Sequence, residues 1–408
     1  MIENRNIPFS PPDITEEEIS CVVDTLRSGW ITTGPKTKAF ESEIAKYIGV
    51  KKAVCLNSAT AALENALRIL GIGPGDEVIT TAYTYTASAS VIHHVGAKII
   101  LIDTCEHSFE IDYNQMENAI NEKTKAIIPV DIAGVICDYN KIFEIAERKK
   151  NLYKHNNNRQ KEIGRVAVIA DAAHSFGAYL NGKISGMLAD ITCFSFHAVK
   201  NLTTAEGGAI VWTNSFGLSD DDLYNEFMLY SLHGQSKDAL SKVKLGSWEY
   251  DIVYPGYKSN MTDIQASIGI VQLKRYKGML LKRCENFKLY NTLLDNKIVD
   301  VMQHKGANFE SSYHLLVCNV KDFSLEERNH LIDVLALKGI SSNVHYKPLP
   351  LMTAYKLLGF DIGNYPNAYK KYKNVISLPL YSTLSSDDIH YICKNFNQSV
   401  YKILGQRK

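Results

Sequence analysis

Between residues 50 and 215, short runs rich in β-branched residues alternate with stretches of helical periodicity. The runs are AVCLN from 53, EVIT from 77, AKIILID from 97, KAIIPV from 125, VAVIAD from 166, ITCFSF from 191 and AIVW from 209. Nearly continuous apolar runs separated by helices describe strands buried on both faces, as in an open, largely parallel sheet covered by helices. The expected fold class is therefore α/β. In such a sheet the ligand crevice lies beyond the carboxyl ends of the strands. Asn57, Asp171 and Ser195 stand at or just past three of those ends, so three strands aim polar groups at one region.

A chain of 408 residues exceeds what one core usually fills. The pattern changes near Asp263, where a long amphipathic helix begins and runs to about Leu294. Mixed strands and helices follow, including SYHLLVCNV, ISLPLY and a last helix starting near Ser385. The expected division is an N-terminal segment and large domain over 1–262, and a smaller α/β domain over 263–408. Thr15 and Glu18 precede the apolar positions Ile19, Val22, Val23 and Leu26, which reads as a capping box on an amphipathic helix. The polar, Asn-rich stretch from Lys149 to Ile163 reads as a lengthened exposed loop without chemistry.

Lys and Arg total 45 against 44 Asp and Glu, with no long run of one sign, which argues against nucleic acid as a partner. An anionic ligand must then be held by local groups. The eight cysteines are scattered without zinc-like or redox spacing, so no metal site is expected. The opening MIENRNIPFSPP lacks a signal-peptide pattern, and no apolar stretch approaches the ~20 residues of a membrane span. These features lead us to expect a soluble, cytoplasmic protein without membrane partners.

Asp171, in VIADAAHS, precedes Lys200, in SFHAVKNLTTAEGGA, by 29 residues, enough for one excursion and a return strand. Pyridoxal chemistry needs such a pair: a lysine to condense with the cofactor and carry a proton, and an acid to keep the pyridine nitrogen protonated. A capping Asp and a solvated Lys are the plainer roles. NSATAALENAL places Ser58, Ala59 and Thr60 at a strand-to-helix turn, where free amides and the helix dipole favour a phosphate; an ordinary N-cap is the alternative. Ser195 can add a hydroxyl. Tyr83 and Tyr85 follow the EVIT strand, where one ring can stack on a flat cofactor and the other belong to the core. His174 is placed to reach a cofactor's ring substituents or to serve as a satisfied structural histidine.

The segments SGWITTGPKTKAFE, NSATAAL, DAAHSFG, SFHAVKNLTTAEGG, PGYKSNMTDIQASIGIVQL, VHYKPLP and SLPLY, in this order, resemble the DegT/DnrJ/EryC/StrS sugar aminotransferases over nearly the whole chain. The resemblance implies a fold type I, aspartate-aminotransferase-like enzyme that uses pyridoxal 5'-phosphate and works as a homodimer with active sites at the subunit interface. It implies that Lys200 bonds the cofactor, Asp171 pairs with the ring nitrogen, His174 sits beside the ring and Tyr85 stacks on it. Ala59, Thr60 and Ser195 fall on phosphate-binding positions, and GYKSN is expected to reach the neighbouring subunit's phosphate. Many relatives read GYNYR there; this chain has Lys258 in place of the Asn, with Asn260 two residues on. Asp131 stands where relatives often carry His, and no role is given to it. Trp30, Ile31, Thr32 and His345 fall on positions lining the sugar-nucleotide site, where core packing for Trp30 and a strand-end hydrogen bond for His345 are the plainer roles.

Within that family, SFH followed by KN and TTAEGG is similar to the branch that aminates carbon 4 of a nucleotide-linked 4-keto-6-deoxy sugar for surface polysaccharides. L-Glutamate is the implied donor. His197 and Glu206 carry this preference over a carbon-3 enzyme. The dehydratases of the same fold replace the lysine with His, so Lys200 argues against that chemistry. The intact set of Lys200, Asp171 and Ser195 gives no reason to choose a non-catalytic regulator.

Overall fold

The computed structural model describes residues 5–236 and 249–407. All seven apolar runs form strands of one sheet. In chain order these are β1 (Ala53–Leu56), β2 (Glu77–Thr81), β3 (Lys98–Ile102), β4 (Thr124–Ile128) and β5 (Ala167–Asp171). The two-residue strands β6 (Tyr179–Leu180) and β7 (Lys183–Ile184) form a side hairpin, and β8 (Ile191–Ser195) and β9 (Gly208–Trp212) complete the large sheet. The order is β1-β9-β8-β5-β4-β2-β3, with β9 antiparallel to both neighbours and β8, β5, β4, β2 and β3 parallel.

Alternate strand residues feed two apolar cores, as the two-residue side-chain period requires. Ala53, Cys55, Ile127 and Val168 face one core; Val54, Leu56, Ala126 and Ile169 face the other. With both faces buried, the carboxyl ends of the strands provide the accessible edge where polar residues gather.

The first helices are α1 (Glu16–Arg27), α2 (Pro35–Ile48) and α3 (Ala59–Ile69). Thr15 N–H donates to Glu18 Oε2 at 2.7 Å, so the capping interaction forms. The inward face of α1 departs from the sequence expectation. Glu18 and Thr25 are buried, while Ile19 and Leu26 are 47% and 53% exposed. The cause is polar: Glu18 Oε1 accepts from Gln272 and Arg275 of the long helix, and those charge-assisted bonds turn the Glu18 face of α1 inward.

The 149–163 stretch is likewise more than exposed loop. It holds a short helix, Asn158–Ile163, capped by Asn157 and with Gln160 buried. Asn157 and Gln160 side-chain amides each donate to Leu70 O at 3.0 Å, and Arg159 donates to Ile69 O at 2.6 Å. These carbonyls at the end of α3 lack helical partners, and the 149–163 segment supplies them.

Helix Asp263–Leu293 packs against α1 and α2 and against the final helix Ser386–Gly405. Three more strands, β10 (Val299–Val301), β12 (Leu316–Val320) and β13 (Val375–Leu378), form a small antiparallel sheet, while β11 (Phe309–Glu310) joins the β6–β7 hairpin. Its core takes in Tyr290, Leu331 and Phe396, together with Ile7 from the N-terminus, which pairs with Ile340. Conversely, Tyr355 and Tyr365 pack into a core beneath the large sheet, so segments cross between the two regions. Among the described residues no helix is long and apolar enough to cross a membrane.

Candidate active site

At the carboxyl ends of β5 and β8 lies a cleft of about 660 Å³ lined by Asp171, His174, Ser195, Lys200, Tyr85 and His345, with Ala59 and Thr60 at one wall. A second cavity of about 690 Å³ shares Val130 with it but takes in neither Asp171 nor Lys200. The paired acid and amine place the chemistry in the first.

Asp171 ends β5 and is 5% exposed. Burial raises its pKa above the ordinary carboxylate value, opposed by hydrogen bonds from Ser88 and Ala173 and by the Lys200 charge. Lys200 follows β8 in the 197–201 turn, where its N–H bonds to His197 O. Desolvation pushes its amine down to about 8, against a smaller opposing pull from Asp171. Among the described residues no hydrogen bond or ion pair engages the Lys200 Nζ. A neutral amine is the nucleophilic form, so the surroundings favour attack on a carbonyl.

A candidate anion cradle is formed at the start of α3. Ser58 Oγ accepts from Ala61 N–H at 3.1 Å and Ser58 O from Ala62 N–H at 3.2 Å, leaving the first-turn amides of Ala59 and Thr60 without a helical acceptor. Both the N-cap and the free-amide readings of this segment are therefore realised together. The helix end can lie against the sheet because β9 begins with Gly208. A Cβ there would stand 2.5 Å from Ala59 N. Ser195 closes the wall from β8.

The two tyrosines divide their roles. Tyr83 is fully buried and its hydroxyl donates to His345 O at 2.8 Å, whereas Tyr85 is 62% exposed over the cleft. A flat apolar face left open beside an amine and an anion cradle fits an aromatic, phosphate-bearing aldehyde. His345 Nδ1 lies 2.9 Å from Ser377 Oγ, and its ring stacks on Phe9 at 5.5 Å. His197 and Glu206 line the mouth with Nε2 and Oε1 3.6 Å apart.

Other candidates do not line this cleft. Lys258 and Asn260 run beside the end of β1, where Ser259 O accepts from Asn57 N–H at 2.7 Å. Asn260 is internally satisfied: its Oδ1 accepts from Lys258 Nζ at 2.6 Å and its Nδ2 donates to Thr33 Oγ1 at 2.5 Å. Lys258 is exposed and keeps spare N–H donors. Trp30 folds over Gly34, where a Cβ would overlap the indole, and its Nε1 donates to Thr33 O at 3.3 Å; Ile31 and Thr32 face outward beside the same segment. Asp131 is buried and pushed up to about 7 by desolvation, with bonds from Ser175, Cys137 and Tyr139. It serves the core.

Sequence reasoning misses three residues that line the cleft, Phe9, His314 and Tyr346, and one buried behind it, Ser88. Ser88 Oγ donates to Asp171 Oδ2, and the His174 and His314 rings lie 4.4 Å apart. Tyr346 directly follows His345 in VHYKPLP, so its position was the one available signal; the others reach the site through folding from segments without a motif.

Taken together, the mostly parallel sheet and this cleft define a fold type I, pyridoxal-phosphate-dependent transaminase. The chain belongs to the DegT/DnrJ/EryC1/StrS aminotransferase family, which it matches over residues 12–397. The "Putative sugar aminotransferase Spr1654" of Streptococcus pneumoniae superimposes in its apo form with TM-score 0.95 at 53% identity, covering 98% of this chain and 99% of that one. It has also been solved in PLP and PMP forms, each with TM-score 0.94 at 52% identity. The Bacillus subtilis spore coat polysaccharide biosynthesis protein SpsC is 37% identical over 95% of this chain and 96% of its own. The UDP-4-amino-4-deoxy-L-arabinose–oxoglutarate aminotransferase of Shewanella sediminis is 33% identical over 98% and 99%. The protein is a sugar aminotransferase that uses pyridoxal phosphate.

Proposed function

We propose that this enzyme moves the amino group of L-glutamate to carbon 4 of a nucleotide-linked 4-keto-6-deoxy sugar, as a homodimer with shared active sites. The observation that carries the reading is the unpartnered Lys200 amine and the buried Asp171 carboxyl in one cleft beside the α3 amides. The Shewanella relative's name supplies the carbon-4, UDP and oxoglutarate expectation, and SpsC the link to polysaccharide synthesis.

Pyridoxal phosphate, when bound, supplies the aldehyde that accepts an amine and the ring that takes up electrons from a broken C–H bond. Ala59, Thr60 and Ser195 would hold its phosphate, Tyr85 would cover its face, and His174 would stand at its edge. Asp171 would keep a proton on the ring nitrogen. Lys200, once released, would carry the proton between substrate and cofactor carbons. His345 would contact the sugar nucleotide from the small-sheet side.

Sharing of the site is supported by the residues that miss their own cleft. Lys258, Ile31 and Thr32 are exposed, and the bond from Asn260 to Thr33 ties their two segments together. Ile19, Leu26, Ile31, Tyr250, Ile252, Val253 and Tyr257 are all exposed, which a second copy of the chain would cover. Between the two phosphate candidates, Lys258 is favoured, because Asn260 spends both ends of its amide within the protomer. We also keep 1–262 and 263–408 as the two domains.

The test is a panel of 3-keto and 4-keto sugar nucleotides with glutamate, with products read by mass spectrometry and the aminated carbon by NMR. Exclusive amination at carbon 3, or no amination of any nucleotide sugar, would overturn the proposal.

A further inference from the structure

The His174 imidazole is held from two sides. Ala133 N–H donates to Nδ1 at 3.2 Å, and Nε2 lies 3.1 Å from the Tyr346 hydroxyl. A backbone amide can only donate, so Nδ1 is the unprotonated nitrogen. The ring is also neutral: burial, then Lys200 and His345, oppose the imidazolium and hold its pKa well below the ordinary histidine value. Asp171 at the end of β5, Lys200 from the 197–201 turn, and His314 and His345 from the small-sheet region are the titratable groups around it.

A neutral ring with a bare Nδ1 carries its proton on Nε2 and donates it to Tyr346 Oη. The Tyr346 hydroxyl therefore receives from His174, and its own hydrogen must go elsewhere. Among the described residues no second partner takes it. Burial and the Asp171 charge keep the phenol protonated. Its ring lines the cleft 6.3 Å from Tyr85, the aromatic face left open there.

We propose that Tyr346 is a hydrogen-bond donor to an oxygen of the molecules bound in the cleft, and that His174 is a positioning residue that fixes the direction of this donation. The acceptor is an anionic or carbonyl oxygen, either the cofactor's ring oxygen or an oxygen of the sugar. His174 itself has no nitrogen to spare, so it acts through the tyrosine. The inference deepens the proposed reading of the same site and rests on the cofactor lying between Asp171 and Lys200.

The first measurement needs no cofactor. In cofactor-free protein labelled with ¹⁵N-histidine, the His174 signals, identified by their loss in His174→Gln, should show a bare Nδ1 and a protonated Nε2 from about pH 6 to about pH 8. A protonated Nδ1 or a cationic ring there overturns the inference. The second compares Tyr346→Phe with the parent enzyme. If the acceptor is the cofactor's oxygen, loss of the donor should raise the pH midpoint of the visible absorbance by about one unit, because the anionic oxygen is less stabilised. If it is the sugar's, the midpoint stays, KM for the keto sugar rises about tenfold and the glutamate half-reaction is unaltered. No change in either overturns it. His174→Gln, whose carboxamide can accept from Ala133 and donate to Tyr346, should keep the parent values, whereas His174→Leu should follow Tyr346→Phe; the reverse pattern overturns the positioning role. A parent enzyme without a visible band would instead refute the site reading, whereas a protonated Nδ1 in the NMR spectrum would overturn this inference alone.

Discussion

The Ser88 hydroxyl donates to Asp171 Oδ2 at 2.6 Å from the first turn of the helix Ala87–His94 that follows β2, while Ala173 N–H holds Oδ1 at 3.2 Å. The carboxyl is thus oriented by two neutral donors inside a desolvated pocket. Among the described residues the Lys200 charge acts on it without a direct ion pair, and a protonated ring nitrogen would provide a cation in contact.

Asp171→Asn should accordingly keep cofactor bound but slow the half-reaction with glutamate by about 10³-fold, because a neutral amide no longer favours the ring proton. Single-turnover absorbance reads this directly. A rate within a few-fold of the parent would exclude Asp171 as the ring's partner.

Lys200→Ala should abolish the visible absorbance band and the cofactor adduct trapped by borohydride, while the fold, read by circular dichroism, persists. Survival of the trapped adduct would place the imine on another lysine.

The amine near 8 gives a pH test of its own. The folded state holds fewer protons on Lys200 than the unfolded chain between about pH 8 and the ordinary lysine value of about 10.4. The burial penalty is thus fully felt below about pH 8 and is relieved as pH climbs through that window, so stability of cofactor-free protein should rise there. Lys200→Met should be more stable than the parent at about pH 7 and should lose that rise. Parallel denaturation-versus-pH curves for the two proteins would show an ordinary surface lysine.

Much of this was readable from the chain because the chemistry is local. Asp171 and Ser195 end apolar strands and Lys200 follows in the turn after β8, and strand ends in a mostly parallel sheet converge by topology. Ser58 caps α3 and leaves the amides of Ala59 and Thr60 free, as the turn's composition implied. Tyr346 and His314 were hidden because their nearness to His174 depends on how the small sheet docks. Periodicity also misjudged α1, since Ile19 and Leu26 promised an inward face that the Glu18–Arg275 pair reversed. Burial within one protomer is not the only fate of an apolar stripe.

Mixing Lys200→Ala subunits with Lys258→Ala subunits should restore activity in the heterodimers, since one of the two sites then receives both intact groups. This presumes that Lys258→Ala alone is nearly inactive. Heterodimers that form without regaining activity would confine the segment to its own subunit. Asn260→Ala should instead lower thermal stability, by about 1 kcal/mol, through loss of its bonds to Thr33 and Lys258.

Gly208→Ala should weaken cofactor affinity about tenfold or more, with little effect on the melting of the cofactor-free protein beyond local strain. The added methyl would press on Ala59 N and Ser58 C, both 2.5 Å away, and push the α3 amides out of line. Equilibrium titration with pyridoxal phosphate reads the change, and unchanged affinity would remove α3 from the phosphate site.

The bonds from Asn157, Arg159 and Gln160 to the last carbonyls of α3 have a mechanical meaning. A helix of 11 residues is about 16 Å long and behaves as a stiff rod, so fixing one end fixes the aim of the other. The 149–163 segment is in this sense a mount: it bears on the far end of the rod whose tip presents the Ala59 and Thr60 amides. A segment with no reacting group can then govern how sharply an anion is registered. Change within 149–163 would then shift the aim of those two amides without altering a residue that lines the cleft.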